Sequence, residues 1–402
     1  MVHNYEIGKV ETYQDEVFMR NVPLKVGDKS IPGFTRSIAG PIDKKTIDQL
    51  KLKPENLINE IRLKLTLPLL REIDSNKIKR RKFFSSENAK FLKESFLNMF
   101  VIEFTLEEKE KLEKEDINYL NYILTYELND LYVMPIVRFN GMPGQTEASK
   151  EYDTFVTRML ESKNEMIPGD LKVGISIPSG YEENSYSNLF SKYANEKKKP
   201  DFVLMDFNNR TTIHSDFLGN IPRVIQFFKK EGKEKGEEEQ YEKYYLYGFN
   251  IKPYRRGSSE SKCAAEDVRL ILMGFNAFGH QYQKRMGGDN FANYEPKWKS
   301  LRTFWSNDYK YHHLEGGKEK RNWDEWVDLV YGEGTNASIP NPNDKARKLS
   351  RRYNFVSLNK EFSELTRGVI KSDADLLKEK FKNKDIPDEI TSRFGKPKND
   401  KK

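Results

Sequence analysis

The run "DFVLMDFNNRTT", residues 201–212, sets a carboxylate inside an apolar strand-like segment and follows it with two amides and a guanidinium. A charge in such a run is costly unless paired, so Asp206 calls for an arginine such as Arg210 or Arg138. Held that way, it could serve as a general base, a nucleophile or an acceptor in base recognition. Polar residues recur where other apolar runs end: Arg138 and Asn140, Ser176 and Ser179, Asn208 and Arg210, Asn250 and Lys252, Asn276 and His280. Singly, each fits a helix cap or an Asx-turn more readily than a site. Recurrence at one end of successive strands is the functional signal, with Asp206 and His280 as catalytic candidates and Arg138, Asn140, Ser179, Asn208, Arg210, Asn250, Lys252 and Asn276 as substrate-binding ones.

His280 suits proton transfer or phosphate contact because it follows a strand end and precedes the basic Lys284 and Arg285. Arg255 and Arg256, in "PYRRGSSESK", add anion contacts on a connecting loop, so these four cations are the nucleic-acid candidates. "YEPKWKSLRTFWSNDYKYHH" mixes aromatic and basic residues that could stack bases, though its spacing favours packing on the core. The chain has one cysteine, Cys263, and five histidines without metal-ligand spacing. No disulfide within the chain or dedicated transition-metal site is therefore expected. Neither GxGxxG nor GxxxxGK[ST] occurs, and no cofactor is called for.

The elements that must position these residues follow from the apolar runs. "LYVMPIVRF", "LKVGISIP", "DFVLMDF", "YYLYGFNI" and "VRLILMGF" are strand-sized and alternate with mostly amphipathic segments, which predicts a parallel sheet covered by helices. Without a phosphate loop, the expected fold is α/β, a (β/α)8-type barrel with a helical N-terminal elaboration and a Trp-rich C-terminal extension. "VPLKVGDKSIPGFTRSIAG" predicts a strand pair. "PENLINEIRLKLTLPLLREI" and "SSENAKFLKESFLNMF" read as helices. Residues 1–130 then form the N-terminal strands and helical elaboration, 131–293 the core repeats, and 294–402 an aromatic and basic extension with a disordered tail.

With 402 residues, 37% hydrophobic and 33% charged, the chain has ample material for a core. The net charge of +7 gives modest support to an anionic partner. No apolar stretch approaches the roughly 20 residues a membrane span needs, and the expectation is a soluble cytoplasmic protein with no membrane partner.

In the order of its segments the chain resembles the tRNA-guanine transglycosylase superfamily. "LKVGDKSIPGFTRSIAG" is similar to that family's N-terminal strands, and "KVGISIPSGYEENSYSNLFSKYANEKKKPDFVLMDF" to its succession of strand, short helix and strand. "KYYLYGFNI" and "VRLILMGFNAFGHQYQKR" fall where the family has its Leu-Met-Gly strand and its Asp-Cys-Val, Thr-Arg strand. The resemblance implies base exchange in tRNA or DNA. The chain departs from the pattern where the chemistry lies. The Asp-Ser-Gly-Gly-Phe-Gln segment and the zinc cysteines are missing, Asn276 stands nearest the nucleophilic aspartate, and Asp206 falls on the base-recognising strand. A catalytically altered member is implied. Two other readings stay open: a non-catalytic subunit that binds nucleic acid or protein, and an unrelated lyase or hydrolase of a small phosphorylated molecule.

Overall fold

The computed structural model describes residues 4–15, 17–39, 53–84, 96–127, 130–141, 144–166, 171–180, 185–195, 201–253, 262–280, 302–313, 344–382, 384 and 386–394. Its centre is two parallel sheets. The first joins β7 (Ile38–Ala39), β8 (Ile58–Thr66), β9 (Leu97–Glu107) and β10 (Ile136–Asn140) in that order. The second runs β6 (Thr35–Arg36), β15 (Ala277–His280), β13 (Tyr245–Ile251), β12 (Phe202–Asp206) and β11 (Ile175–Ile177). β6 and β7 are separated in the chain by Ser37 alone, and a single bridge pairs Val133 with Gly174 near the opposite edges.

This arrangement corrects the expected (β/α)8 barrel: the strands pair as separate sheets of four and five, and no continuous eight-stranded ladder closes among the described residues. It also corrects the helical N-terminal elaboration. Residues read there as helix form the two longest strands, β8 and β9, and their pairing runs unbroken from Ile58↔Leu97 to Thr66↔Thr105. On β8, Ile61, Leu63 and Leu65 alternate with Glu60, Arg62 and Lys64, the period of a strand. The segment turns helical only at α1 (Leu67–Ser75), where the Thr66 side chain caps the first turn and Pro68 lies.

"VRLILMGF" differs as well. Val268–Leu270 is a 3-10 helix, and the strand of that region is β15, beyond Asn276. The predicted N-terminal strand pair is present as β4 (Leu24–Val26) and β5 (Lys29–Ile31), with β1 (Tyr5–Ile7) beside β4; β2 (Glu11–Gln14) pairs with β3 (Phe18–Asn21), and β14 (Lys262–Ala264) precedes the 3-10 helix.

Each central strand has an outer and an inner face. Ile61 and Leu63, Phe100 and Ile102, and Val203 and Met205 pack outward against α1, α3 (Lys114–Tyr122), α4 (Gln145–Met166), α5 (Ser185–Asn195), α6 (Ser215–Lys235) and α8 (Asp344–Ile370). Between α1 and α3 lies the short α2 (Lys77–Phe83), and α7 (Glu238–Glu242) follows α6. The inner faces of both sheets share a second cluster: Ile58, Leu97, Met99, Val101 and Ile136 from one, with Phe202, Leu204, Tyr245, Tyr247, Phe249 and Ala277 from the other. Tyr5, Leu24, Val26 and Ile31 complete it, so the β1-β4-β5 sheet seals the end where the central strands begin. Among the described residues, no helix is long and apolar enough to cross a membrane.

Candidate active site

Along the inner faces, side chains change from apolar to polar in the strand direction. Ile58 is followed by Glu60 and Arg62, Val101 by Glu103, Ile136 by Arg138, and Leu204 by Asp206. Exposure grows the same way: Arg62, Arg138 and Ser179 are half-buried, and Asn140 and Asn208 are exposed. The polar residues make contacts that cross from one sheet to the other.

The first group surrounds Asp206, which has no exposed surface. Arg138 Nη2 on β10 donates to its Oδ2, and the Asn208 amide donates to Oδ1 at 2.9 Å. Arg138 Nη1 reaches Ser179 Oγ at 3.2 Å, and Nη2 stands 3.7 Å from Glu103 Oε2. Glu103 is nine-tenths buried, and its Oε1 makes no hydrogen bond among the described residues. An anionic carboxylate is held in a closed interior only against a cation, which Arg138 supplies.

The second group surrounds Glu60. Arg62 Nε donates to its Oε1 at 3.1 Å, and Arg62 Nη1 donates to Asn250 Oδ1 at 3.0 Å. The Tyr247 hydroxyl meets Glu60 Oε2 on one side and Ser37 Oγ, at 2.7 Å, on the other. Ser37 Oγ lies 3.2 Å from the Phe278 carbonyl. Gly279 makes room for this group, because a Cβ there would overlap Glu60 Oε2 and come within 2.6 Å of the tyrosine hydroxyl. Burial raises the Glu60 pKa, against the opposing pull of Arg62 and the Tyr247 hydroxyl; Glu103, a further carboxylate, adds to the rise. Burial also raises the Tyr247 pKa, with the Glu60 charge reinforcing it.

Backbone geometry fixes the strand ends. Asn208, Asn209 and Asn250 have φ of 44°, 60° and 59°, the left-handed region in which asparagine is enriched. The register of β13 shifts between Gly248 and Ile251, so Asn250 sits at an irregularity that turns its amide toward Arg62. The Asn209 amide donates to the Asn250 carbonyl at 2.8 Å and Lys252 to the Arg210 carbonyl at 3.1 Å, locking β12 to β13 beyond their ladder.

Of the sequence candidates, Arg138, Ser179, Asn208 and Asp206 therefore meet in one group, and Asn250 joins the other. Asn140 lies farther out and donates to Glu107 at 3.0 Å. Arg210 and Lys252 contribute through the backbone contact just described. Asn276 stands before β15, at the end where the strands begin, and not at a strand end. Its Oδ1 accepts from the Leu246 amide at 2.9 Å and its Nδ2 donates to the Arg20 carbonyl, a structural clamp. His280 ends β15, but its side chain lies outside the described residues, as do Arg255, Arg256, Lys284 and Arg285.

Sequence reasoning missed Glu60, Arg62, Glu103 and Tyr247. Glu103 carried the signal that singled out Asp206, a carboxylate inside the apolar run "MFVIEF". Among the described residues no group of three or more His, Cys, Asp or Glu side chains could hold a metal ion. No protein-family model and no curated protein matches the chain's sequence.

Proposed function

We propose that this chain acts on an N-glycosidic bond of nucleic acid, releasing or exchanging a base. The observation that carries the reading is the pair of buried carboxylates in contrasting surroundings: Asp206 against the Arg138 guanidinium, and Glu60 with a pKa raised by burial. Breaking a glycosidic bond builds positive charge on the sugar and negative charge on the departing group, so it needs one carboxylate as an anion and another as a proton donor. Asp206 takes the first role and Glu60 the second. Glu103 Oε1, buried and without a hydrogen-bond partner among the described residues, offers an acceptor for an N–H edge of the base. The resemblance in segment order to the transglycosylase superfamily points to the same reaction class. The phosphorylated-substrate reading has less support, because Arg62 and Arg138 are engaged with Glu60, Asn250 and Asp206.

The test is incorporation of labelled guanine into tRNA and into DNA, with release of unlabelled base measured in parallel. Asp206→Asn and Glu60→Gln should each lower the rate by about 10²–10⁴-fold with the fold retained by circular dichroism. Absence of base release and exchange in the unsubstituted protein on both nucleic acids, or wild-type rates in both variants, would overturn the proposal.

A further inference from the structure

Three of the five basic residues of α2, Lys77, Arg81 and Lys82, share one exposed side of the helix. The helix reads "KIKRRKF", five cations and no acid in seven residues. Its inward side is anchored. Arg80 Nε donates to the Ile73 carbonyl at 3.1 Å, Arg80 Nη2 donates to the Asp74 carbonyl at 2.7 Å, and the guanidinium lies 5.1 Å from the Tyr119 ring centre. Phe83 and Phe84 pack against the outer core. Lys79 pairs with Glu72. At 3.6 residues per turn, Lys77, Arg81, Ile78 and Lys82 fill one arc on the remaining side. All four are exposed, Ile78 at 80%.

We infer that this arc of α2 binds the phosphate backbone of a nucleic acid. Lys77 and Arg81 are one turn apart, about 6 Å along the axis, and present two cations in line. Contacts of this kind, side-chain cations on a repeating anion, position a nucleic acid without reading its sequence. A helix that lies on a membrane buries a broad apolar face. Here Ile78 is the lone apolar side chain on the arc, since Phe83 and Phe84 are turned to the core.

Fluorescence anisotropy with labelled single-stranded DNA, duplex DNA and an RNA hairpin at several salt concentrations tests the inference. Lys77→Glu with Arg81→Glu should weaken binding about tenfold and reduce the salt slope by about two. Lys230→Glu with Lys233→Glu, on exposed positions of α6, makes the same charge change elsewhere and should leave binding near wild type. Thermal unfolding followed by circular dichroism confirms that both variants fold. Wild-type binding by the α2 variant, or equal loss in both variants, would overturn the inference. So would unchanged oligonucleotide binding with lost retention on phosphatidylserine vesicles, which would indicate an anionic lipid partner. Binding is read without turnover, so failure here leaves the glycosidic reading standing, and a failed base-exchange assay leaves this one standing.

Discussion

Glu60, Tyr247 and Ser37 form a chain whose protons can be counted. With Glu60 ionised, the single tyrosine proton serves one of its two neighbours, and the other contact depends on Ser37 turning away from the Phe278 carbonyl. With Glu60 protonated, glutamic acid donates to tyrosine, tyrosine to serine and serine to the carbonyl, and every group is satisfied. This is the hydrogen-bonding counterpart of the pKa raised by burial. A carboxyl that binds its proton more tightly in the folded chain adds stability that is full below its ordinary value of 4.5 and is lost as pH rises through the folded value. Urea unfolding of the wild type should therefore show stability falling above pH 4.5, by at most about 1.4 kcal/mol per pH unit from this one proton. Glu60→Gln should flatten that part of the profile. An unchanged profile in the variant would place the titration on another group.

At the scale of elements, β12 and β13 were legible because near-continuous apolar runs of strand length leave little choice of structure. β8 was not. Its residues Ile58, Ile61 and Leu65 continue to Leu69 of α1 at a spacing that suits a helix, and no glycine or turn residue separates strand from helix at Thr66. Glu60 and Arg62 were lost with that assignment. Asn276 was misplaced for a related reason, since the apolar "VRLILMGF" turns as a 3-10 helix before β15 starts. Asn250 could be picked out as a polar strand end, but its left-handed backbone depends on the irregularity in β13, which only pairing with β15 defines. That backbone makes a prediction. Asn250→Gly keeps the conformation and should alter stability by less than about 1 kcal/mol, whereas Asn250→Ala should cost roughly 1–2 kcal/mol. Both remove the acceptor for Arg62 and, on the proposed glycosidic reading, should slow base release. Equal unfolding midpoints would show that conformation is not what the asparagine supplies.

Over the whole molecule, long-range ties gather parts of the chain that the sequence does not relate. α8 accepts hydrogen bonds through Asn359 Oδ1 from Thr35 and the Arg36 amide, and its Asn354 bonds the Arg302 carbonyl and the Phe304 amide in β16 (Arg302–Trp305). Part of the expected C-terminal extension is thus built into the edge of the second sheet, with Leu358, Phe362 and Leu365 buried. At the other extreme of the chain, Tyr5, Leu24, Val26 and Ile31 seal the apolar end of the shared interior. Among the described residues, the half-buried Arg62, Arg138 and Ser179 mark the opposite, polar end of that interior. If, as proposed, a base is exchanged at that polar end, the departing and incoming bases use the same side, so the first must leave before the second enters and the chain passes through a state that holds the sugar alone. Initial-rate plots against the incoming base, at several nucleic-acid concentrations, should then give parallel lines of the double-displacement type rather than lines that meet.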